Sequence, residues 1–230
     1  MLLEKIEQAK STLREEIKEL LAHENKESAE ESKERGKNLR KKVPRTSHAT
    51  WKPSLYRLNP MDLIKSQETT RVSELLPIRH ERMAASPFAF FRGSAILMAS
   101  DLATTPSTGL NVQACGDAHI SNFGFFQSPE RHLVFDINDF DETARGPWEW
   151  DIKRLATSVE ICGRNRGFSE KERSKAVRAA VESYQTSMLE FSQMKTMDVW
   201  YAHTDVEDFY SQFSGSLSKK TQKNTEKIIL

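Results

Sequence analysis

The chain has no run of the ~18 apolar residues that a membrane-spanning helix needs, and it does not open on a basic-then-apolar leader. Neither membrane insertion nor export is expected. Cysteine is scarce. Cys115 and Cys162 fit no disulfide framework and no metal knuckle, so a reducing cytoplasm is the expected setting. An excess of one charge is missing too. The 34 Lys and Arg residues balance 33 Asp and Glu residues to a net +1, which gives no footprint for nucleic acid or for an anionic membrane. Glycine is sparse: the nine glycines include no G-x-G, and there is no Walker A sequence and no V-A-I-K-like strand. A Gly-rich cradle for nucleotide phosphates is therefore not expected in this chain.

Apolar residues make up 37% of the 230 residues and the mean hydropathy is −0.62. The deficit is uneven, and four segments follow from it. Residues 1–35 read as a charged helical extension, with Leu3, Ile6, Leu13, Ile17, Leu20 and Leu21 on one stripe. That stripe offers a short seam to a partner helix, hence an oligomer, or else packs lightly. Residues 36–50 read as a solvated basic linker. Residues 51–210 hold the core formers, and residues 211–230 form a polar tail that gives no clear end to the domain, which is read as truncated.

Within the third segment, residues 86–103 open on a Ser cap and a Pro at the first helical turn, then run almost wholly apolar, which predicts one buried helix. Arg92 is its only cation and either snorkels outward or pairs with a site carboxylate. VQAC (residues 112–115) reads as a strand, and FGFF and HLVFD read as a hairpin turning at QSPER. A helix is expected from about Pro147, with Leu155, Ala156, Val159 and Cys162 on one face. Another is expected from Ser169, where Ser169 and Glu172 make a capping box and Val177, Ala180, Val181, Tyr184, Met188 and Phe191 a core stripe.

The chemistry concentrates in CGDAHISNFG. Asp117, His119 and Asn122 stand between two apolar strands, Asp136 ends the hairpin, and Asp139, Asp141 and Glu142 follow it. Asp151 opens the next helix. Carboxylate and amide oxygens suit Mg²⁺, which takes one or two carboxylates plus substrate phosphates. Phosphoryl transfer needs a carboxylate to take the proton of the attacking hydroxyl, and an Asn and an Asp to hold the metal. Asp117 is thus the candidate base, Asn122 a metal ligand, and Asp136 or Asp139 the second ligand. His119 and Asp151 are expected to brace the loop. The competing reading is that Asp and Asn merely make turns. A binuclear metallophosphoesterase is disfavoured, because none of His23, His48, His80, His119, His132 and His203 lies in the further blocks that class requires.

The Gly116-Asp117-x-His119-x-x-Asn122 order resembles the aminoglycoside and choline kinase branch. The blocks GKNLRKKVPRTSHATWKP, LLPIRHERMAASPFAFFRGSAILMASDLA, VQACGDAHISNFGFF, LVFDINDFDET and GPWEWDIKRLATS, spanning residues 36–167, resemble the bacterial family known as domain of unknown function 2252. The resemblance implies a protein-kinase-like α+β fold: a mainly helical C-lobe with a short catalytic-loop hairpin. It also implies ATP and Mg²⁺ as cofactors and an unknown small-molecule or protein substrate. Proteins of that family are longer, and a Gly-rich strand pair and a Lys-bearing strand follow the catalytic block. This chain is expected to stop before them, to lack the nucleotide lobe, and to be inactive alone. A non-catalytic kinase-like binding or scaffold protein is the alternative.

Overall fold

The computed structural model describes residues 27–216. The 1–35 stripe up to Leu21 and the tail past residue 216 lie outside the described residues. The chain divides into two compact units between Thr50 and Trp51.

In the first unit, helix α1 (Ala29–Lys42) starts at a capping box in which Ser28 and Glu31 satisfy each other's backbone N–H groups. It buries no residue. Residues 36–42, expected as linker, are instead its last two turns. Their Lys and Arg residues sit at the C-terminal end, where the helix dipole favours cations. A short 3-10 turn (Arg45–Ala49) follows Pro44.

The second unit is mainly helical with two small antiparallel sheets, an α+β fold. Helices α2 (Pro60–Glu68), α3 (Leu76–Ala84), α4 (Pro87–Arg92) and α5 (Ala95–Leu102) precede the sheets. Strand β1 (Asn111–Ala114) pairs with β4 (Ala144–Pro147), and β2 (Phe123–Gln127) pairs with β3 (Leu133–Ile137). The expected hairpin is therefore present, while β4 takes residues for which no strand was expected, and the helix expected from about Pro147 starts at Glu149. Helix α6 (Glu149–Asn165) and helix α7 (Glu170–Phe191) pack along each other, and short helices α8 (Thr196–Trp200) and α9 (Val206–Phe213) follow.

Residues 86–103 do not form one helix. Ser86 caps as expected, its Oγ accepting from Ala89 N–H at 3.0 Å, but the helix breaks at Gly93 and Ser94. Arg79 Nη2 donates to the Gly93 carbonyl at 2.6 Å, so that carbonyl is taken by a neighbouring helix rather than by the next turn. A Cβ on Gly93 would stand 2.7 Å from Met83 Cγ, so the bend also lets α3 approach closely. Helix α7 keeps its expected capping box but buries none of its residues. Val181 and Met188 of the expected core stripe are exposed, while Tyr184 is half-buried and stacks on Trp148.

Candidate functional site

The loop between β1 and β2 is fastened from behind by one stripe of α6. Asp151, Arg154 and Ser158 are three and four residues apart, so they share a helix face. Each meets the loop in chain order. The Asp151 carboxylate accepts from Cys115 N–H at 2.7 Å and Gly116 N–H at 3.0 Å. Arg154 Nε donates to Asp117 Oδ1 at 2.7 Å. Ser158 Oγ accepts from Ile120 N–H at 2.9 Å. Ser158 is wholly buried and Arg154 only 2% exposed. The inner face of this helix is therefore polar, and its polar groups are spent on the loop's backbone and on Asp117.

Gly116 makes the turn possible. Its φ is +83°, and a Cβ there would run into the carbonyl oxygen of Glu142, so no side chain fits. Arg154 is held on three sides. Besides Asp117, it donates through Nη2 to the Phe91 carbonyl at 2.6 Å, and its guanidinium lies 3.7 Å from the centre of the Phe91 ring. Burial pulls its pKa down and Asp117 opposes that pull. With Oδ1 on Arg154, Asp117 has Oδ2 left to act on a substrate.

His119 is buried and braces the loop. Its Nδ1 accepts from Ser121 N–H at 3.2 Å, which leaves the proton on Nε2, 3.7 Å from Asp117 Oδ2. Asn122 closes the loop: Nδ2 donates to the Asp117 carbonyl at 2.9 Å, so the side-chain carbonyl is the atom left for a ligand. Asp139 accepts from Asp141 N–H at 3.2 Å, and the Asp139 carbonyl takes the Cys115 thiol at 3.6 Å, which ties the acidic segment to the loop. Burial pushes the Cys115 thiol up from its ordinary range, so it stays protonated and inert.

Asp117, His119, Asn122 and Asp139 line one cleft of about 1060 Å³, together with Asp141 and Glu142. Asp136 is not among the lining residues. It sits exposed on β3 opposite Gly124, its Oδ1 accepting from Ile137 N–H at 2.7 Å. Of the two carboxylates left open by the sequence, Asp139 is the one the fold brings to the cleft. Asp151 lies behind the loop and holds its backbone.

The sequence reading missed two sets of residues. Arg154 and Ser158 continue the polar stripe from Asp151, a signal at helical spacing that the neighbouring apolar face concealed. Arg71, Arg79 and Arg82 line the same cleft beside Arg92, whose place the sequence leaves open, and Arg71 Nη2 reaches Glu142 Oε1 at 3.6 Å. Arg82 and Arg92 have no ion-pair partner among the described residues. Arg92 therefore does not pair with a site carboxylate; it stands exposed at the cleft.

The burial of His119 gives a pH prediction. Burial pushes its pKa below the ordinary 6.5 against the pull of Asp117, so folding favours the neutral ring. Its contribution to stability is complete above the unfolded value and is lost as pH falls from there through the depressed folded value. The unfolding free energy from urea titration should fall between pH 7 and pH 5, by at most about 1.4 kcal/mol per pH unit from this residue. A His119→Asn variant should flatten that step; an unchanged profile would show that the ring titrates freely.

The family model described as "Uncharacterized protein conserved in bacteria (DUF2252)" matches residues 71–229, and the chain belongs to that family. The match starts after the block at residues 36–53 and runs on through the polar tail. No curated protein and no solved structure is significantly similar.

Proposed function

We propose that this member of the bacterial family carries the catalytic-loop part of an ATP-dependent phosphotransferase site. Asp117 is the base and acts through Oδ2. Asn122, through its side-chain carbonyl, and Asp139 are the Mg²⁺ ligands. Hard oxygen donors of this kind, one amide and one carboxylate with room beside them for phosphate oxygens, fit that ion. Held by Asn122 and Asp139, Mg²⁺ would supply charge neutralisation for substrate phosphates. His119 and Asp151 fix the loop, and Arg154 orients the Asp117 carboxylate.

The observation that carries this reading is the single cleft that collects Asp117, Asn122 and Asp139 while Asp151 holds the loop from behind. The arginines of the cleft offer cationic groups to phosphates, in place of the backbone N–H groups of a Gly-rich hairpin. They do not enclose a nucleotide as a Gly-rich hairpin would, so binding by this chain is expected to be weak and turnover absent. Mn²⁺, a spectroscopic stand-in for Mg²⁺, tests the ligands. Titration followed by electron paramagnetic resonance should show a site that Asp139→Asn weakens at least tenfold and Asp136→Asn leaves alone. The reverse pattern would move the metal to the strand.

A non-catalytic binding role is favoured by one observation. Arg154 is buried and pairs with the half-buried Asp117, and such a pair is also a structural device that fixes one loop conformation.

A further inference from the structure

Away from the cleft, the β2–β3 hairpin meets the segment that leads into α9. Phe135 N–H donates to the Thr204 carbonyl at 2.9 Å, and Val134 and Asp205 form an antiparallel bridge. This contact sets three side chains together: His132, His203 and Asp205 each offer one ligand atom, all within 4.8 Å of one another. We propose that His132, His203 and Asp205 bind a divalent transition metal of the zinc class, which clips the hairpin to the 201–205 segment.

The ligand chemistry fits. Two imidazoles and a carboxylate with a water in the fourth position are a common zinc set, with bonds of about 2.0–2.1 Å. Ligand atoms around such an ion stand roughly 3.3 Å apart for tetrahedral angles. Asp205 Oδ1 is 3.4 Å from His203 Nε2 and 3.9 Å from His132 Nδ1, so small side-chain movements close the site. The two rings stand nearly perpendicular, at 81°, with centroids 6.2 Å apart.

The hydrogen bonding points the same way. His203 Nδ1 lies 2.8 Å from the Tyr201 carbonyl, which can only accept, so Nδ1 carries the proton. The Nε2 lone pair of the neutral ring then faces a carboxylate oxygen. A backbone carbonyl on the far ring nitrogen is the usual outer partner of a metal-bound histidine. Asp205 Oδ1 is itself shut off from solvent and has no hydrogen-bond partner among the described residues. Two acceptors that face each other take either a proton on the ring or a metal ion between them, and the ion would stand where Asp205 otherwise draws a proton onto Nε2. Both histidines are exposed, so an ion and its water have access.

The test is Zn²⁺-dependent thermal stabilisation of the full chain, with Co²⁺ as the optical probe. Zn²⁺ should raise Tm in the wild type and in Asp139→Asn, and the rise should vanish in His203→Gln and His132→Ala. Bound Co²⁺ should give visible d–d bands that follow the same pattern. In the unmutated protein, Zn²⁺ should protect His132 and His203 from diethyl pyrocarbonate. A Tm response that survives in both histidine variants, or equal labelling of the two rings with and without Zn²⁺, overturns the proposal; so does a response lost in Asp139→Asn, which assigns the ion to the cleft.

Discussion

Arg154→Met is expected to lower the stability of the second unit by about 3–5 kcal/mol, the cost of breaking a buried ion pair from one side. Arg154 and Asp117 expose only 3% and 14% of their side chains. Methionine keeps much of the packing over Phe91 but supplies no donor to Asp117 Oδ1 or to the Phe91 carbonyl. An orphaned carboxylate next to the buried His119 cannot recover full hydration, and pulling it outward opens the loop. Urea unfolding should show a lower midpoint with an unchanged slope. The double variant Arg154→Met with Asp117→Leu should recover part of the loss, because it removes the uncompensated charge. A single variant within about 1 kcal/mol of wild type would mean that water already reaches Asp117.

Asp151→Ala should cost about 2–3 kcal/mol, since two backbone N–H groups lose a charged acceptor at once. Cys115 is buried, so its N–H finds no water in exchange; Gly116 is exposed and its N–H does. Hydrogen exchange should therefore speed up most at Cys115 and extend to Asp117, whose position depends on the turn at Gly116. Asp151→Asn keeps one acceptor and should lose roughly half as much. If exchange at Cys115 is unchanged in Asp151→Ala, the loop is held by something other than α6.

The readable parts of this sequence were those whose signals are local. The capping box at Ser169 and Glu172 is made within four residues, and the β2–β3 hairpin by two apolar runs and a Ser-Pro turn. Both stand in the structure. Asp117, His119 and Asn122 stood out because they fall in one short loop between two apolar strands, and the structure places all three on one cleft. What escaped depends on contacts far along the chain. The bend at Gly93 follows from Arg79 taking its carbonyl, and β4 exists because residues 144–147 find β1. The α6 stripe is inverted: Arg154 and Ser158 face inward because the loop's own polar groups need partners there. A hydrophobicity pattern assigns such residues to solvent. Asp136 and Asp139 could not be separated before the strand end at Ile137 was placed, which leaves Asp136 exposed on the strand and frees the chain to carry Asp139 to the cleft.

Asp117, Asn122 and Asp139 are proposed above to receive a metal-bridged nucleotide. Calorimetric titration of ATP with and without Mg²⁺ tests it most directly, on the wild type, Asp139→Asn and Asp136→Asn. Weak binding that requires Mg²⁺ is expected in the wild type and in Asp136→Asn, and at least tenfold weaker binding in Asp139→Asn. Binding of equal strength in all three proteins, or binding that does not need Mg²⁺, would contradict it.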